Sequence, residues 1–183
     1  MRKGWFAIPG EQDGDRTLEE QLMGLEHVVA EINGKSVADL GCAEGLILRH
    51  MKQHGAGDCF GCDNNPDLYA AASKTLAGMA DVRLVDLNDT QVFGRQFDVV
   101  LMLAILHKLQ DPQTALERLS ASAKELIVIR LPYGSDGDIA WKHGRHMTCD
   151  TRRTLNDLGF RFERDVEGPR GERVHYWRRN QNA

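Results

Sequence analysis

At 183 residues the chain is long enough for one well-cored domain and too short for two ordinary ones. Lys and Arg total 23 against 27 Asp and Glu, a formal charge of -4, so no molecule-wide positive field drives binding through phosphate attraction. A charged fraction of 27% beside 42% hydrophobic residues is that of a folded globular chain, not a disordered one. The longest unbroken apolar run, Val99 to Leu106, is too short to cross a bilayer. Pro9 and the acids Glu11, Asp13 and Asp15 interrupt the N-terminus before a signal-peptide core forms, and four cysteines do not make a disulfide scaffold. The expectation is a cytoplasmic protein with no membrane association.

In chain order, Gly4, Pro9, Gly10 and Gly14 break any pattern in the opening stretch. Thr17 and Glu20 are spaced as a capping box for a helix from about Leu18 to Ile32, which stops near Gly34. Short apolar runs then alternate with helical ones. Strands are predicted at 35–40, 58–62, 82–85, 97–101 and 125–131, and helices at 44–54, 66–79 and 111–122. Such alternation, with nearly continuous hydrophobic strands, predicts a doubly wound, mostly parallel sheet covered on both faces. After residue 131 the pattern changes. A helix over 148–158 precedes runs at 160–165 and 174–178 around Gly168-Pro169-Arg170-Gly171, which predict a C-terminal antiparallel hairpin. No linker divides the chain, so residues 1–34 are read as a lid segment and helix, and residues 35–183 as the core of one domain.

The segment Val37-Ala38-Asp39-Leu40-Gly41-Cys42-Ala43-Glu44-Gly45 follows a predicted strand and opens a predicted helix. Gly41 and Gly45 permit a sharp turn and close approach of a ligand, and Ala43 keeps the middle of the loop small. In an open α/β sheet this first crossing is where nucleotides dock. A dinucleotide site prefers G-x-G-x-x-G, with pyrophosphate on the helix N-terminus. Here the pattern is G-x-A-x-G preceded by Asp39, and a carboxylate beside the loop suits a cation better than a pyrophosphate. Asp63 ends the second strand about twenty residues further on, where an acid accepts hydrogen bonds from ribose hydroxyls. The third strand ends Val85-Asp86-Leu87-Asn88, and the fourth reads Phe97-Asp98-Val99-Val100-Leu101-Met102-Leu103 before Leu106-His107-Lys108-Leu109.

These four segments, in this order over about residues 36–131, resemble the motifs of the class I S-adenosylmethionine-dependent methyltransferases. The resemblance implies a Rossmann-like, seven-stranded sheet and S-adenosylmethionine as cofactor. It implies that Asp39, Gly41, Ala43 and Gly45 bound the methionine end, that Asp63 meets the ribose, that Asp86 and Leu87 meet the adenine, and that Cys42 and Asn64 also belong to the cofactor site. Met102 and Leu103 would face the cofactor at the strand's C-terminal edge. Lys108 departs from the family's common L-H-H-L by replacing its second histidine.

Methyl transfer by in-line displacement needs a held acceptor and, for many acceptors, a base. His107 is the first candidate, with a pKa near neutrality and a place just after the fourth strand. His143 and His146 are weaker ones. Trp5, Arg16 and Tyr133 are expected to frame the acceptor, with residues 5–16 as a lid and the loop 132–136 opposite. Leu103-Ala104-Ile105-Leu106 stands where amino-methylating nucleic-acid enzymes carry a polar Pro-Pro-aromatic run, which argues against that chemistry. Catechol-type metal sites need carboxylates that Leu101-Met102-Leu103 does not supply. No metal is expected at Cys59-x-x-Cys62 either, because residues three apart on a strand face opposite ways. A small-molecule acceptor is therefore favoured. The alternatives are an RNA or protein methyltransferase, with Arg170, Arg173, Arg178 and Arg179 as an RNA-facing series, a non-catalytic S-adenosylmethionine-binding module, and a nicotinamide oxidoreductase. Oligomeric state is not legible in the sequence.

Overall fold

The computed structural model describes residues 4–7, 12–89, 94–131 and 149–181. Nine strands and six α-helices are formed among them, beginning with two short parallel strands, β1 (Gly4–Phe6) and β2 (Gly14–Arg16), paired Gly4 to Gly14 and Phe6 to Arg16. Helices α1 (Leu18–Leu22) and α2 (Glu26–Glu31) follow, then β3 (Val37–Leu40), α3 (Leu46–Gln53), β4 (Cys59–Asp63), α4 (Pro66–Thr75) and β5 (Asp81–Leu84). The second half comprises β6 (Phe97–Leu103), α5 (Pro112–Ser120), β7 (Ala123–Leu131), α6 (Thr151–Asp157), β8 (Phe160–Glu167) and β9 (Arg173–Arg179).

The large sheet has the order β5-β4-β3-β6-β7-β9-β8. The first five strands pair in parallel, and β9 runs antiparallel to both β7 and β8, so the predicted doubly wound sheet with a terminal hairpin is the observed one. The strand order reverses between β3 and β6, which opens a crevice beyond their C-terminal ends.

Two cores form because strand side chains alternate between faces. Along β6, Val99 and Leu101 join the core under α1, α2 and α3, while Val100 and Met102 join the core under α5 and α6. Cys59 and Cys62 fall in opposite cores, as their spacing requires. No helix among the described residues is long and apolar enough to cross a membrane.

The N-terminal half of the chain departs from the sequence reading in two places. The irregular opening contains the β1–β2 pair. The single helix expected over 18–32 is two helices, because Gly24 adopts φ +77 and ends the first one. Tyr176 donates its hydroxyl hydrogen to the Gly24 carbonyl at 2.5 Å, and a Cβ at Gly24 would stand 2.7 Å from the Glu167 carbonyl oxygen. The capping box forms as spaced, with Glu20 N donating to Thr17 Oγ1 at 3.1 Å and Thr17 N to Glu20 Oε2 at 2.9 Å.

Candidate functional site

A cleft with a cavity volume of about 260 Å³ lies across the C-terminal ends of β3, β4, β5 and β6. Gly41 and Ala43 border it from the loop after β3, Asp63 from the tip of β4, Asp86 from the tip of β5, and Leu103 from the tip of β6. The loop turns through left-handed backbone at Gly41 (φ +84), Ala43 (φ +48) and Gly45 (φ +78), and Ala104 (φ +56) repeats this at the end of β6. Left-handed alanines are strained, and both of these line the cleft.

Asp63 is the hub of the loop. Its Oδ2 accepts from Ala43 N at 3.0 Å and its Oδ1 from Asn65 N at 3.0 Å, which ties the glycine loop to the start of α4. A carboxylate oxygen has two lone pairs, so each oxygen retains capacity for a ligand hydroxyl. Asp86 holds its own turn by accepting from Asn88 N at 2.9 Å, and Arg118 donates to the Leu87 carbonyl. Asn64 and Leu87 also line the cleft.

Five of the expected contacts lie elsewhere. Gly45 is needed for packing, since a Cβ there would meet Leu76 Cδ1 at 2.6 Å. Cys42 is buried, and its sulfur lies where a Cβ on Gly61 would approach within 3.0 Å. Burial also pushes its thiol far above the usual range. Met102 packs into the α5–α6 core, and it is its alternating neighbour Leu103 that faces the cleft. Arg16 does not border the cleft and is bonded to Glu172 at 3.0 and 3.3 Å. Asp39 is 2% exposed and does not border the cleft. Burial raises its carboxyl to about 7, with Arg130 opposing the rise and Asp63 adding to it.

His107 occupies the 3₁₀ turn Leu106–Lys108 after β6, half-buried and outside the cleft lining. Burial and the neighbouring Lys108 and Arg16 cations lower its pKa to about 4 against the pull of Glu172, so it is neutral at pH 7. Trp5 does line the cleft, with Lys108 Nζ 4.6 Å and Arg16 Cζ 5.3 Å from its ring centroid. It is held there by Glu44, whose Oε1 accepts from Trp5 N at 2.7 Å, Phe6 N at 3.3 Å and Gln12 Nε2 at 3.0 Å. Tyr133, His143 and His146 lie outside the described residues.

Sequence reasoning missed Glu44, Lys108 as a lining residue, and Gln21. A glutamine one helical turn before the core residue Leu25 was the available signal for the last of these. Lys108 is the one cationic side chain among the described lining residues, against the carboxylates of Asp63 and Asp86. That donor set fits a nucleoside with no phosphates, flanked by the apolar Leu68, Val85 and Leu109.

Residues 38–125 match the family model described as a methyltransferase domain. That match spans just under half of the chain and makes this segment similar to a methyltransferase domain. Among curated proteins, a tRNA U34 carboxymethyltransferase of Desulfotalea psychrophila is 26% identical over 128 residues, covering 67% of this chain and 40% of that protein. The chain spans between 29% and 40% of the length of the curated relatives it matches. Among solved structures, magnesium protoporphyrin IX methyltransferase from Synechocystis PCC 6803 with bound S-adenosylmethionine superposes with a TM-score of 0.66 at 21% identity, covering 85% of this chain and 78% of that one. An S-adenosylmethionine-dependent methyltransferase from Mesorhizobium loti gives 0.67 at 18% identity, over 85% and 95% of the two chains. Both likenesses are of the fold.

Proposed function

We propose that the chain transfers a methyl group from S-adenosylmethionine to a small-molecule acceptor, as one domain whose Trp5 and following N-terminal residues close over the cleft. The observation that supports it is the convergence of Gly41, Ala43, Asp63, Asp86 and Leu87 on one cleft at the strand-order reversal. The cofactor supplies a methyl group on a cationic sulfur, already activated toward a nucleophile. Asp63 would accept from the ribose hydroxyls, Asn64 would lie beside them, and Asp86 with Leu87 would meet the adenine. The small loop residues Gly41 and Ala43 would admit the methionine end. Leu103, Ala104 and Ile105 form an apolar wall where the acceptor would lie, and Trp5 caps it. Neutral His107 would take a proton only if the acceptor reached past this wall, so positioning carries most of the proposed chemistry.

An RNA acceptor is the second reading, favoured by the likeness to the D. psychrophila tRNA enzyme and opposed by the net charge of -4. Methyl-labelled S-adenosylmethionine incubated with the chain separates the two. Label entering a small-molecule metabolite fraction and not total tRNA is the expected result. Label in tRNA alone would replace the first reading with the second, and label in neither would favour a binding module.

A further inference from the structure

Among the described charged residues that line the cleft, Asp63 and Asp86 have places against the cofactor and Lys108 has none. Lys108 ends the 3₁₀ turn Leu106–Lys108, and its backbone N donates to the Ile105 carbonyl at 2.8 Å. Side chains three apart eclipse in such a turn, so Lys108 stands beside Ile105 at the end of the apolar wall Leu103-Ala104-Ile105. Its Nζ lies 4.6 Å from the centroid of the Trp5 ring, and it has no hydrogen-bond or ion-pair partner among the described residues. The acids nearest in charge are engaged elsewhere. Asp63 accepts from the Ala43 and Asn65 amides, and Glu172 accepts twice from Arg16. Arg16, the other cation beside the Trp5 ring, does not border the cleft. Desolvation of the Lys108 ammonium lowers its pKa from the ordinary lysine value, with Asp63 and Glu172 opposing and Arg16 adding. An ammonium whose desolvation outweighs the pull of its neighbours gains from an anion placed beside it.

We propose that Lys108 selects the acceptor, taking an anionic small molecule whose apolar body lies on Leu103-Ala104-Ile105 and whose carboxylate or phosphate group meets the Lys108 ammonium. An ammonium is a compact charge with three donors, so it favours an anion of either geometry, and charge-assisted bonds of this kind are the strong ones. One lysine in a chain of net charge -4 serves a single anionic group and not a track of phosphates. The inference rests on reading the cleft as the site of methyl transfer, and it narrows the acceptor within that reading.

The test splits an ultrafiltered metabolite extract on an anion exchanger and incubates the retained and flow-through fractions separately with the full chain and methyl-labelled S-adenosylmethionine. Wild type is expected to label the retained fraction. Lys108→Met should lower that labelling by about tenfold or more, and Lys108→Arg, which keeps the charge, should preserve most of it. All three proteins should bind S-adenosylhomocysteine alike in calorimetric titration. Label confined to the flow-through fraction overturns the proposal, and so does a Lys108→Met protein that labels the retained fraction as well as wild type does. Equal loss in Lys108→Met and Lys108→Arg overturns it by making side-chain shape, not charge, decisive. Weakened S-adenosylhomocysteine binding in Lys108→Met overturns it by assigning the ammonium to the cofactor. A wild type that labels neither fraction overturns the transfer reading itself and this inference with it, whereas label in the flow-through alone leaves the transfer reading standing.

Discussion

Asp39 and Asp63 sit on neighbouring parallel strands and are built for different work. Asp63, at the mouth, is bonded by two backbone N–H groups and borders the cleft, whereas Asp39 is sealed beneath the loop. The buried carboxyl has a pKa of about 7, above the ordinary aspartate value, so the folded chain keeps a proton that the unfolded chain releases. The contribution of Asp39 to stability therefore falls as pH rises from about 4 to about 7 and levels off above that, opposite in sign to that of His107, whose lowered pKa adds stability as pH rises from about 4. Asp39→Asn should remove the Asp39 contribution, with the difference between the two proteins changing by on the order of a few kcal/mol between pH 4.5 and 8, read by denaturant titration at several pH values. An unchanged slope would mean that Asp39 stays ionised. Asp63→Ala should weaken S-adenosylhomocysteine binding by about tenfold or more, since charge-assisted hydrogen bonds are lost. It should also lower the melting temperature, because the Ala43 and Asn65 amides lose their acceptor, and calorimetry beside a thermal melt separates the two effects.

Among the elements, the N-terminal ribbon depends most on a single side chain. Strands β1 and β2 have three residues each, too few to persist as a free pair, and Glu44 of the glycine loop accepts from both the Trp5 and Phe6 amides and from the Gln12 side chain. Arg16 ties the other end to Glu172 beside the terminal hairpin. Glu44→Ala should release the ribbon while the seven-stranded sheet persists. Limited proteolysis or hydrogen exchange should then show β1 and β2 opening well before the core, and equal protection across both would count against the latch. The break between α1 and α2 is a second dependence. Gly24→Ala meets both a left-handed backbone and the Glu167 carbonyl, and it should cost about 2 kcal/mol or more. A neutral Gly24→Ala would mean that the turn relaxes without penalty.

For the molecule as a whole, ligand binding across four strand tips should report on global stability. S-adenosylhomocysteine at a hundred times its dissociation constant should stabilise the fold by about 2.7 kcal/mol, and NAD at the same concentration should leave the melting temperature unchanged. Stabilisation by NAD alone would contradict the assignment of the cleft.

The sheet, its helices and the terminal hairpin were legible because local pattern alone sets them: continuous apolar runs, a capping box at Thr17, and a Gly-Pro turn before the last strand. That Gly41, Asp63, Asp86 and Leu87 lie along one edge of the sheet was legible because strand ends in this topology all deliver there. Which neighbour faces the cleft was not. Met102 or Leu103, Asp39 or Asp63, and the role of Gly45 turn on side-chain direction and on residues far along the chain, such as Leu76 and Arg130. The same holds for Glu44 and Gln21, whose partners lie 39 and 109 positions away. Periodicity can place a residue on an element. Only the packing of elements against one another decides whether its polar atoms meet a partner, a ligand or nothing.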